Sequence, residues 1–563
     1  KPTTTGIDAA ANAFYNDIKP FTLNSIGKET DVVTNILQGP GDHWNEHTVR
    51  AAKAGNDCHF RHIYLNNSDI LEESSFDDFF TSVTVEDVID ENKCRIVAVK
   101  DLYGNAILER RYIDNTTTAD TYYVYDRYGQ LRYILPPMLC NVVADFSGKS
   151  ISNTTVAKYA FYYEYDNKGR LLTKKLPGCS PQVFAYDHSG LLIYSATATQ
   201  QARHLYNVYA YDKLNSPAYT AVISDTRSID IKRAAIKDVV VRVDYSDNGT
   251  IYGYGKCDSK VSKANILSLC YYDNYDFLSN FACQDSLAFV AMDGYDTPFE
   301  PVRQFAKGRL TGSVSRVLKY DGTRGALLPC AFYYDEGGNV VQQRQKNAIG
   351  GYDVSARHLT LAGIPRAVLL RHSSADTTIV KKYDYTYDHA GRQASFAVTG
   401  PDGNVCLTEY DTYDAVGRLT DRDFSGIITL HRDLNLRSLP TLISATRDGA
   451  MSFCQNISYG TTAHEVTTYS PFVKSASFQG NDGTLTSFSY SYDTMGRLTA
   501  AQSNVPSQFS TTYTYDLNSN PTQITRRGVA QRVGNTDTYN KIDDLTITYN
   551  GNKLKSVYDA CFG

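Results

Sequence analysis

One short string of residues has the spacing of a catalytic metal site. His43-Trp44-Asn45-Glu46-His47 matches the H-x-x-E-H pattern of a class of zinc hydrolases, and His59 and His62 follow nearby. On a helix, His43 and His47 would share one face and could bind Zn²⁺, with Glu46 as general base. A Gly-Pro-Gly-Asp stretch precedes the string, and Thr-Val follows it. This context favours a loop that enters a strand, so zinc hydrolysis is kept only as a remote alternative.

Other signatures of chemistry are incomplete. Asp244-Tyr-Ser-Asp-Asn-Gly249 begins like a calcium loop, but its twelfth position is Gly255, where a bidentate Glu is needed. The sequence contains no P-loop, no G-x-S-x-G elbow and no dinucleotide fingerprint. We therefore predict that the chain is not an enzyme, and we assign it no catalytic residue, cofactor or metal.

Aromatic residues cluster at Tyr272-Asp273 and Tyr275-Asp276-Phe277. Such a cluster can stack on sugars, or it can pack within a wall of strands. The sequence favours wall packing, because tyrosine is abundant along the whole chain.

Composition excludes some partners. The 56 Lys and Arg are outnumbered by 61 Asp and Glu, giving a net charge of −5, so we expect no nucleic acid. No apolar stretch reaches the ~18 residues of a membrane-spanning helix, so we expect no membrane span. The eleven cysteines include no C-x-x-C pair, which is typical of buried free thiols rather than of a disulfide framework.

A repeated Tyr-Asp pair dominates the sequence. The chain has 44 Tyr, against 23 Phe and one Trp, and Tyr-Asp occurs 17 times. Such self-similarity indicates a repeat protein. Seven pairs extend to Tyr-Asp-x-x-Gly, beginning at Tyr125, Tyr165, Tyr186, Tyr334, Tyr387, Tyr413 and Tyr492.

The repeat unit is predicted to be a β-hairpin. Tyrosines before the Asp stand two apart, as in Tyr490 and Tyr492, which places them on one face of a strand. Asp can accept a bond from the backbone two residues on, and Gly can adopt positive φ, as expected at Gly417 and Gly496. Tyrosine hydroxyls need partners, so the tyrosine face suits a wall that is only partly dry. We expect an all-β fold with more than about 40% strand.

These repeats resemble the YD-repeat family, which includes the rearrangement hotspot (Rhs) proteins, the shell components of Tc toxins and the teneurins. The pattern Tyr-x-Tyr-Asp-x-x-Gly-Arg-Leu recurs at 163–171 and 490–498. The stretches 120–137 and 546–557 look most like Rhs proteins of Bacteroidetes. The resemblance covers roughly residues 101–563, and residues 1–100 look like the β segment before the repeats, with a candidate short helix over Gly6 to Asp17.

The resemblance implies an architecture and a function. In this family, antiparallel hairpins spiral into a hollow shell that encloses a C-terminal toxin. We expect this chain to form such a shell or an open part of one, cut within a repeat at Tyr558-Asp559, with the toxin cargo or a downstream shell segment as its partner. A secretion-system component or an immunity protein is a further implied partner. The expected setting is a bacterial protein that is secreted or lies at the cell surface after export.

A different class of function stays open. The runner-up is an extracellular adhesion module that binds glycans or cell surfaces. An adhesin should present an exposed aromatic groove, whereas an enclosing wall should present a face rich in tyrosine.

Overall fold

The computed structural model describes most of the chain. It covers residues 60–561 except 75–82, 91–93, 115, 247–248, 299–305, 436, 460–461, 464–465, 468–470, 482, 506–507 and 535, and it adds the backbone of strands between residues 22 and 53. Strands account for 54% of the residues and helices for 8%, which confirms the all-β prediction. The candidate helix over Gly6 to Asp17 lies outside the described residues.

The chain divides into two compact units. The first unit comprises Lys1–Ser180 together with His431–Gly563, and the second comprises Pro181–Leu430. The predicted boundary near residue 100 stays a prediction. Strand Arg95–Lys100 pairs antiparallel with Ala106–Tyr112 across that position.

The first unit contains two stretches of antiparallel strands, and in each stretch successive strands pair along the chain apart from small inserted hairpins. Its strands before residue 180 are Thr22–Glu29, Val32–Gln38, His47–Lys53, His62–Leu65, Leu71–Ser74, Thr84–Ile89, Arg95–Lys100, Ala106–Tyr112, Thr118–Tyr125, Leu131–Leu135, Phe161–Tyr165 and Leu171–Lys175. Its strands after residue 434 are Pro440–Arg447, Ala450–Tyr459, Thr462–Ala463, Val466–Thr467, Val473–Gly480, Leu485–Tyr492, Leu498–Ser503, Thr511–Tyr515, Pro521–Val533, Thr536–Asn550 and Lys553–Asp559. The boundary between the two units falls within strand Ile428–Leu434.

The second unit is one antiparallel ladder in which each strand pairs with the next along the chain. Its strands are Gln182–Tyr186, Leu192–Ala196, Leu205–Tyr211, Pro217–Ser224, Ile266–Tyr272, Leu310–Leu318, Arg324–Tyr334, Val340–Lys346, Tyr352–Leu359, Pro365–Ser373, Thr378–Tyr387, Gln393–Thr399, Val405–Tyr413 and Leu419–Phe424.

Short helices interrupt the hairpins. In the described part of the chain, the α-helices are Pro137–Val142, Thr154–Tyr159, Ala198–Ala202, Ile229–Ile236 and Gln284–Leu287, and the 3₁₀ turns are Lys263–Asn265 and Asp276–Asn280. Three of the α-helices begin after a capping side chain, from Asn153, Thr197 or Ser228. The sequence analysis did not predict these helices, because each is too short to show a helical period.

Each unit has its own apolar core near these helices. In the first unit, the core includes Leu108, Tyr122, Tyr133 and Leu139, and in the second it includes Val208, Tyr219 and Ile266. On strand Leu205–Tyr211, the buried residues alternate with Tyr209 and Tyr211, which are half-buried on the opposite face. Tyr209 and Tyr211 are thus partly exposed, as predicted for the tyrosine face, whereas Tyr206 on the other face is buried.

The two stretches of the first unit meet. Thr494 Oγ1 donates to the carbonyl oxygens of Tyr112 at 2.7 Å and Ile113 at 2.6 Å. The backbone N–H of Met138 donates to Asn518 Oδ1 at 2.8 Å. Turns late in the chain therefore bond to a hairpin and to a helix about 380 residues earlier.

Candidate functional site

The repeat turn is the candidate functional unit of the chain. In the turn after Tyr413, Asp414 Oδ1 accepts the backbone N–H groups of Val416 at 3.0 Å and Arg418 at 2.9 Å. The Asp414 carbonyl accepts the N–H of Gly417 at 3.0 Å. The bonds to the carboxylate, that of the Arg418 backbone N–H first, hold the pKa of Asp414 below its ordinary value.

The same pair of side-chain bonds recurs along the chain. The predicted bond to the residue two positions on is confirmed, and a second bond, to the residue four positions on, was not predicted. Both bonds are present in the turns that begin at Asp101, Asp126, Asp166, Asp212, Asp388, Asn435, Asp493 and Asp516.

The glycine of the turn has the backbone conformation that the sequence analysis predicted. Gly417 has φ of 93° and Gly496 has φ of 76°. A β carbon added at Gly417 would lie 3.1 Å from Arg392 Nη1. Positive φ and this close approach together favour glycine at the position.

A tyrosine hydroxyl at the end of many strands bonds to the strand before it. The Tyr413 hydroxyl donates to the carbonyl of Gln393 at 2.8 Å, and Gln393 is the first residue of the preceding strand. The equivalent bonds join Tyr125 to Ala106, Tyr334 to Leu310, Tyr387 to Pro365, Tyr459 to Pro440, Tyr492 to Val473, Tyr515 to Leu498 and Tyr549 to Pro521. In each case the acceptor is the first residue of the preceding strand.

The arginine after the glycine completes the connection. Arg392 Nε donates to Asp388 Oδ2 at 2.7 Å within its own turn, and its guanidinium lies over the Tyr413 ring at 4.4 Å. Arg497 makes the same contacts, with Asp493 at 2.7 Å and with the Tyr515 ring at 4.8 Å. Each such arginine therefore fixes its own turn and covers the tyrosine of the next hairpin.

The sequence analysis missed these contacts between repeats. The available signal was the Gly-Arg pair followed, about twenty residues later, by the next Tyr-Asp. That spacing suggests neighbouring hairpins, but which atoms of two strands meet depends on their register. The register shifts by one residue between Thr412 and Tyr413, and likewise between Ser491 and Tyr492.

The histidine string lies mostly outside the described residues, which exclude His43, Glu46 and His59. His47 is the first residue of strand His47–Lys53, which agrees with the prediction that the string leads into a strand. His62 belongs to another hairpin, where its Nδ1 lies 2.8 Å from Ser74 Oγ. In the described part of the chain, no three His, Cys, Asp or Glu side chains are grouped to hold a metal.

The calcium-like segment is a turn in its described residues. The N–H of Ser246 donates to the carbonyl of Gly253 at 2.8 Å, and the N–H of Gly249 donates to the carbonyl of Ser246 at 2.9 Å. Asp244 Oδ1 instead lies 3.0 Å from Lys213 Nζ.

The aromatic cluster near Tyr272 packs internally. Phe277 is buried and stacks on Tyr271 with ring centroids 4.4 Å apart, and Tyr275 stacks on Tyr333 at 4.7 Å. The Tyr275 hydroxyl donates to the carbonyl of Phe332 at 2.6 Å. Wall packing is therefore confirmed at Tyr275 and Phe277.

Cysteines in the described residues are free, as predicted. The expected burial is found at Cys330, whereas Cys179, Cys406 and Cys561 are exposed.

One charged cluster is buried in the second unit. The carboxylate of Asp225 is fully buried and lies 2.7 Å from Lys232 Nζ, 2.7 Å from Arg227 Nη2 and 2.8 Å from Lys260 Nζ. These cations, Arg227 first among them, hold the pKa of Asp225 well below its ordinary value. Lys232 also lies over the Tyr194 ring at 4.4 Å. The cluster joins helix Ile229–Ile236 to the strands beneath it, which is a structural role.

No protein-family model and no curated protein matches the sequence. Among solved structures, the chain is similar to TcdB2-TccC3-TEV, at 13% identity and TM-score 0.48 over 95% of this chain and 23% of that one. TcdB2-TccC3 gives 11% identity and TM-score 0.30 over 94% of this chain and 33% of that one.

A Photorhabdus luminescens Tc holotoxin pore with a substituted TccC3 gives 12% identity and TM-score 0.32 over 94% of this chain and 29% of that one. This chain thus spans 33% or less of the length of each of these three matched chains. The fold described above therefore rests on the strand pairing of this chain itself.

Replacing Tyr413 by Phe should loosen the contact between neighbouring hairpins. The change removes the bond to the Gln393 carbonyl and keeps the ring beneath Arg392, so we expect a loss of about 0.5–1.5 kcal/mol in local stability. Hydrogen exchange of strands Gln393–Thr399 and Val405–Tyr413 would measure it. Tyr410→Phe is the matched control, because Tyr410 is exposed. Equal protection in Tyr413→Phe and wild type would contradict the role given to the hydroxyl.

Replacing Gly417 by Val should damage the turn and the strand that follows it. A β-branched residue is strained at positive φ, so we expect a loss of more than about 1 kcal/mol. Val416→Ala is the control within the same turn, since Val416 is 82% exposed. Faster exchange should spread to adjacent hairpins and leave distant ones unchanged. Uniform loss of protection along the chain would contradict nearest-neighbour coupling.

Replacing Asp225 by Asn should destabilise the second unit at neutral pH by about 3–5 kcal/mol, because the Lys232 ammonium stays buried without its carboxylate. The folded pKa of Asp225 is depressed, so its contribution is present above the ordinary carboxyl pKa of 3.8 and is lost as pH falls below it. Exchange protection of helix Ile229–Ile236, followed against pH, should drop in acid for wild type and change less in the variant. Asp230→Asn is the control, since Asp230 is exposed.

Proposed function

We propose that this chain is a wall segment of a toxin-enclosing shell of the Rhs type. The observation that carries the proposal is the contact between the late and the early stretch of the first unit, where Thr494 bonds to Tyr112 and Ile113. A wall that surrounds a cargo needs contacts between distant strands, because a sheet that only extends leaves its contents open to solvent.

The bonds within and between the hairpins support a structural role for the repeat side chains rather than a catalytic one. The described side chains of the repeat take part in bonds that build the wall: the aspartates bond their own turns, the arginines bond the aspartates, and the tyrosines bond the preceding strand. The motif polar groups therefore act in construction. We infer that any toxic activity of the full protein belongs to a cargo domain that the wall surrounds.

The partners and the setting follow from this proposal. The cargo, or a further shell segment, would contact the wall, and an immunity protein and a secretion component would act on the full protein. Among the described residues, no helix is long and apolar enough to cross a membrane. We propose a bacterial protein that acts after export.

Protease protection tests enclosure. In the protein encoded by the complete gene, a domain downstream of these repeats should resist trypsin while the wall is intact. The double variant Gly417→Val, Gly496→Val should expose that domain, because both turns lose their positive-φ residue. Val416→Ala should leave the protection unchanged. Equal digestion of the downstream domain in wild type and the double variant would contradict enclosure.

A further inference from the structure

We propose that two neighbouring arginines of the second unit, Arg316 and Arg324, form a binding site for a phosphate group. They lie near one end of the hairpin made by strands Leu310–Leu318 and Arg324–Tyr334. We call these two residues the arginine pair. Phosphate binding by the arginine pair does not depend on enclosure of a cargo, so each proposal can fail without the other.

Backbone carbonyls hold both guanidinium groups in place. Arg316 Nε donates to the carbonyl of Ile266 at 2.6 Å, and its Nη2 donates to that of Lys263 at 2.7 Å. Arg324 Nη1 donates to the carbonyl of Ala264 at 3.0 Å. Both side chains thus converge on one short segment of backbone. A ligand that binds them would lose little affinity to the ordering of these side chains, because they are already fixed.

No carboxylate pairs with the arginine pair in the described part of the chain. The remaining hydrogen bonds of the pair also go to backbone carbonyls, from Arg316 to Gly325 at 3.1 Å and from Arg324 to Val222 at 3.3 Å. Other arginines of the second unit lie against a carboxylate, as Arg242 does against Asp187 at 2.7 Å. The arginine pair therefore brings two positive charges together without a protein anion between them.

The two charges repel each other. Burial first, and then the charge of Arg316, hold the pKa of Arg324 below its ordinary value. The acid of the hairpin end, Asp321, does not relieve this repulsion. Its Oδ1 accepts the N–H of Thr323 at 2.8 Å and the hydroxyl of the same residue at 2.6 Å. An external anion bound to both guanidinium groups would offset the repulsion.

The free N–H groups of the pair indicate the class of ligand. The bonds described above use three N–H groups of Arg316 and two of Arg324, so each guanidinium keeps donors for a ligand. Arg324 is exposed and Arg316 is half-buried, so a ligand can approach from solvent. A carboxylate has two oxygens in one plane and matches one guanidinium, whereas the oxygens of a phosphate point in several directions and can bridge two.

A purely structural role is the competing interpretation. In that case the arginine pair would serve only to hold the 3₁₀ turn Lys263–Asn265 against the hairpin. The two interpretations differ in their response to added phosphate. A structural role predicts no binding, whereas a binding site predicts affinity that depends on both side chains.

Isothermal titration of the full chain with pyrophosphate tests the proposal. The buffer should have low ionic strength, because salt screens exposed charges. We expect wild type to bind pyrophosphate, and Arg316→Gln and Arg324→Gln to weaken binding about tenfold or more, which corresponds to about 1.4 kcal/mol each. Arg324→Lys keeps the charge but loses the planar pair of donors, so we expect a loss of about threefold. This variant carries the test if a glutamine variant does not fold.

A vesicle assay distinguishes a soluble phosphate from a lipid headgroup. The full chain is sedimented with phosphatidylcholine vesicles that contain or lack phosphatidic acid. Binding of pyrophosphate would assign the site to a soluble phosphate compound, and retention by phosphatidic acid vesicles alone would assign it to a lipid headgroup. Either result supports the proposal if Arg324→Gln reduces it.

Arg366→Gln is the matched control, because Arg366 is another exposed arginine of the second unit and the variant loses the same charge. It should bind within about twofold of wild type. Far-UV circular dichroism would confirm that the variants keep their strands. The proposal is overturned if wild type binds neither pyrophosphate nor phosphatidic acid vesicles, if Arg366→Gln loses as much affinity as Arg324→Gln, or if the Arg324 variants bind as wild type does.

Discussion

The structure depends on the hydrogen bonds by which tyrosines at or next to the end of a strand reach the first residue of the preceding strand. A single hairpin is only marginally stable in water, because it exposes both faces and has few long-range contacts. The bond from Tyr413 to Gln393 places a large ring against the preceding turn, and Arg392 covers that ring from the other side. Each hairpin is thereby held by its neighbour, and the sheet grows one hairpin at a time.

This mode of stabilisation explains why the repeats use tyrosine at positions where a fully apolar core would use phenylalanine. The extensive buried clusters lie near the short helices, between Phe60 and Tyr162 in the first unit and between Val183 and Val341 in the second. Strand Thr378–Tyr387 has no buried residue, and its positions alternate between exposed and half-buried from Lys382 to Tyr387. There, a side chain must contribute apolar area and also satisfy a backbone carbonyl, and tyrosine does both.

Much of the hairpin could be predicted from the sequence. The turn composition and the tyrosine alternation are local signals, and they correctly indicated the Asp414 bond and the positive φ of Gly417. The contacts that join hairpins were missed, because they depend on register. The contact of Thr494 with Tyr112 could not be predicted either, because two residues 382 positions apart leave no local pattern in the sequence. The short capped helices were not predicted for a third reason. A helix of one or two turns is too short to show a helical period in its hydrophobic residues.

The repeat turn also separates construction from recognition. In the Asp414 turn, Asp414 and Arg418 are held by side-chain bonds, whereas the middle residue Val416 contributes only its backbone N–H. Substitution at such a middle position leaves the hairpin intact while it changes what the turn presents to solvent. Neighbouring turns lie side by side, so two such positions can line one cleft, as Tyr103 and Tyr128 do. A repeat wall can thus acquire a binding site without altering the residues that hold it together.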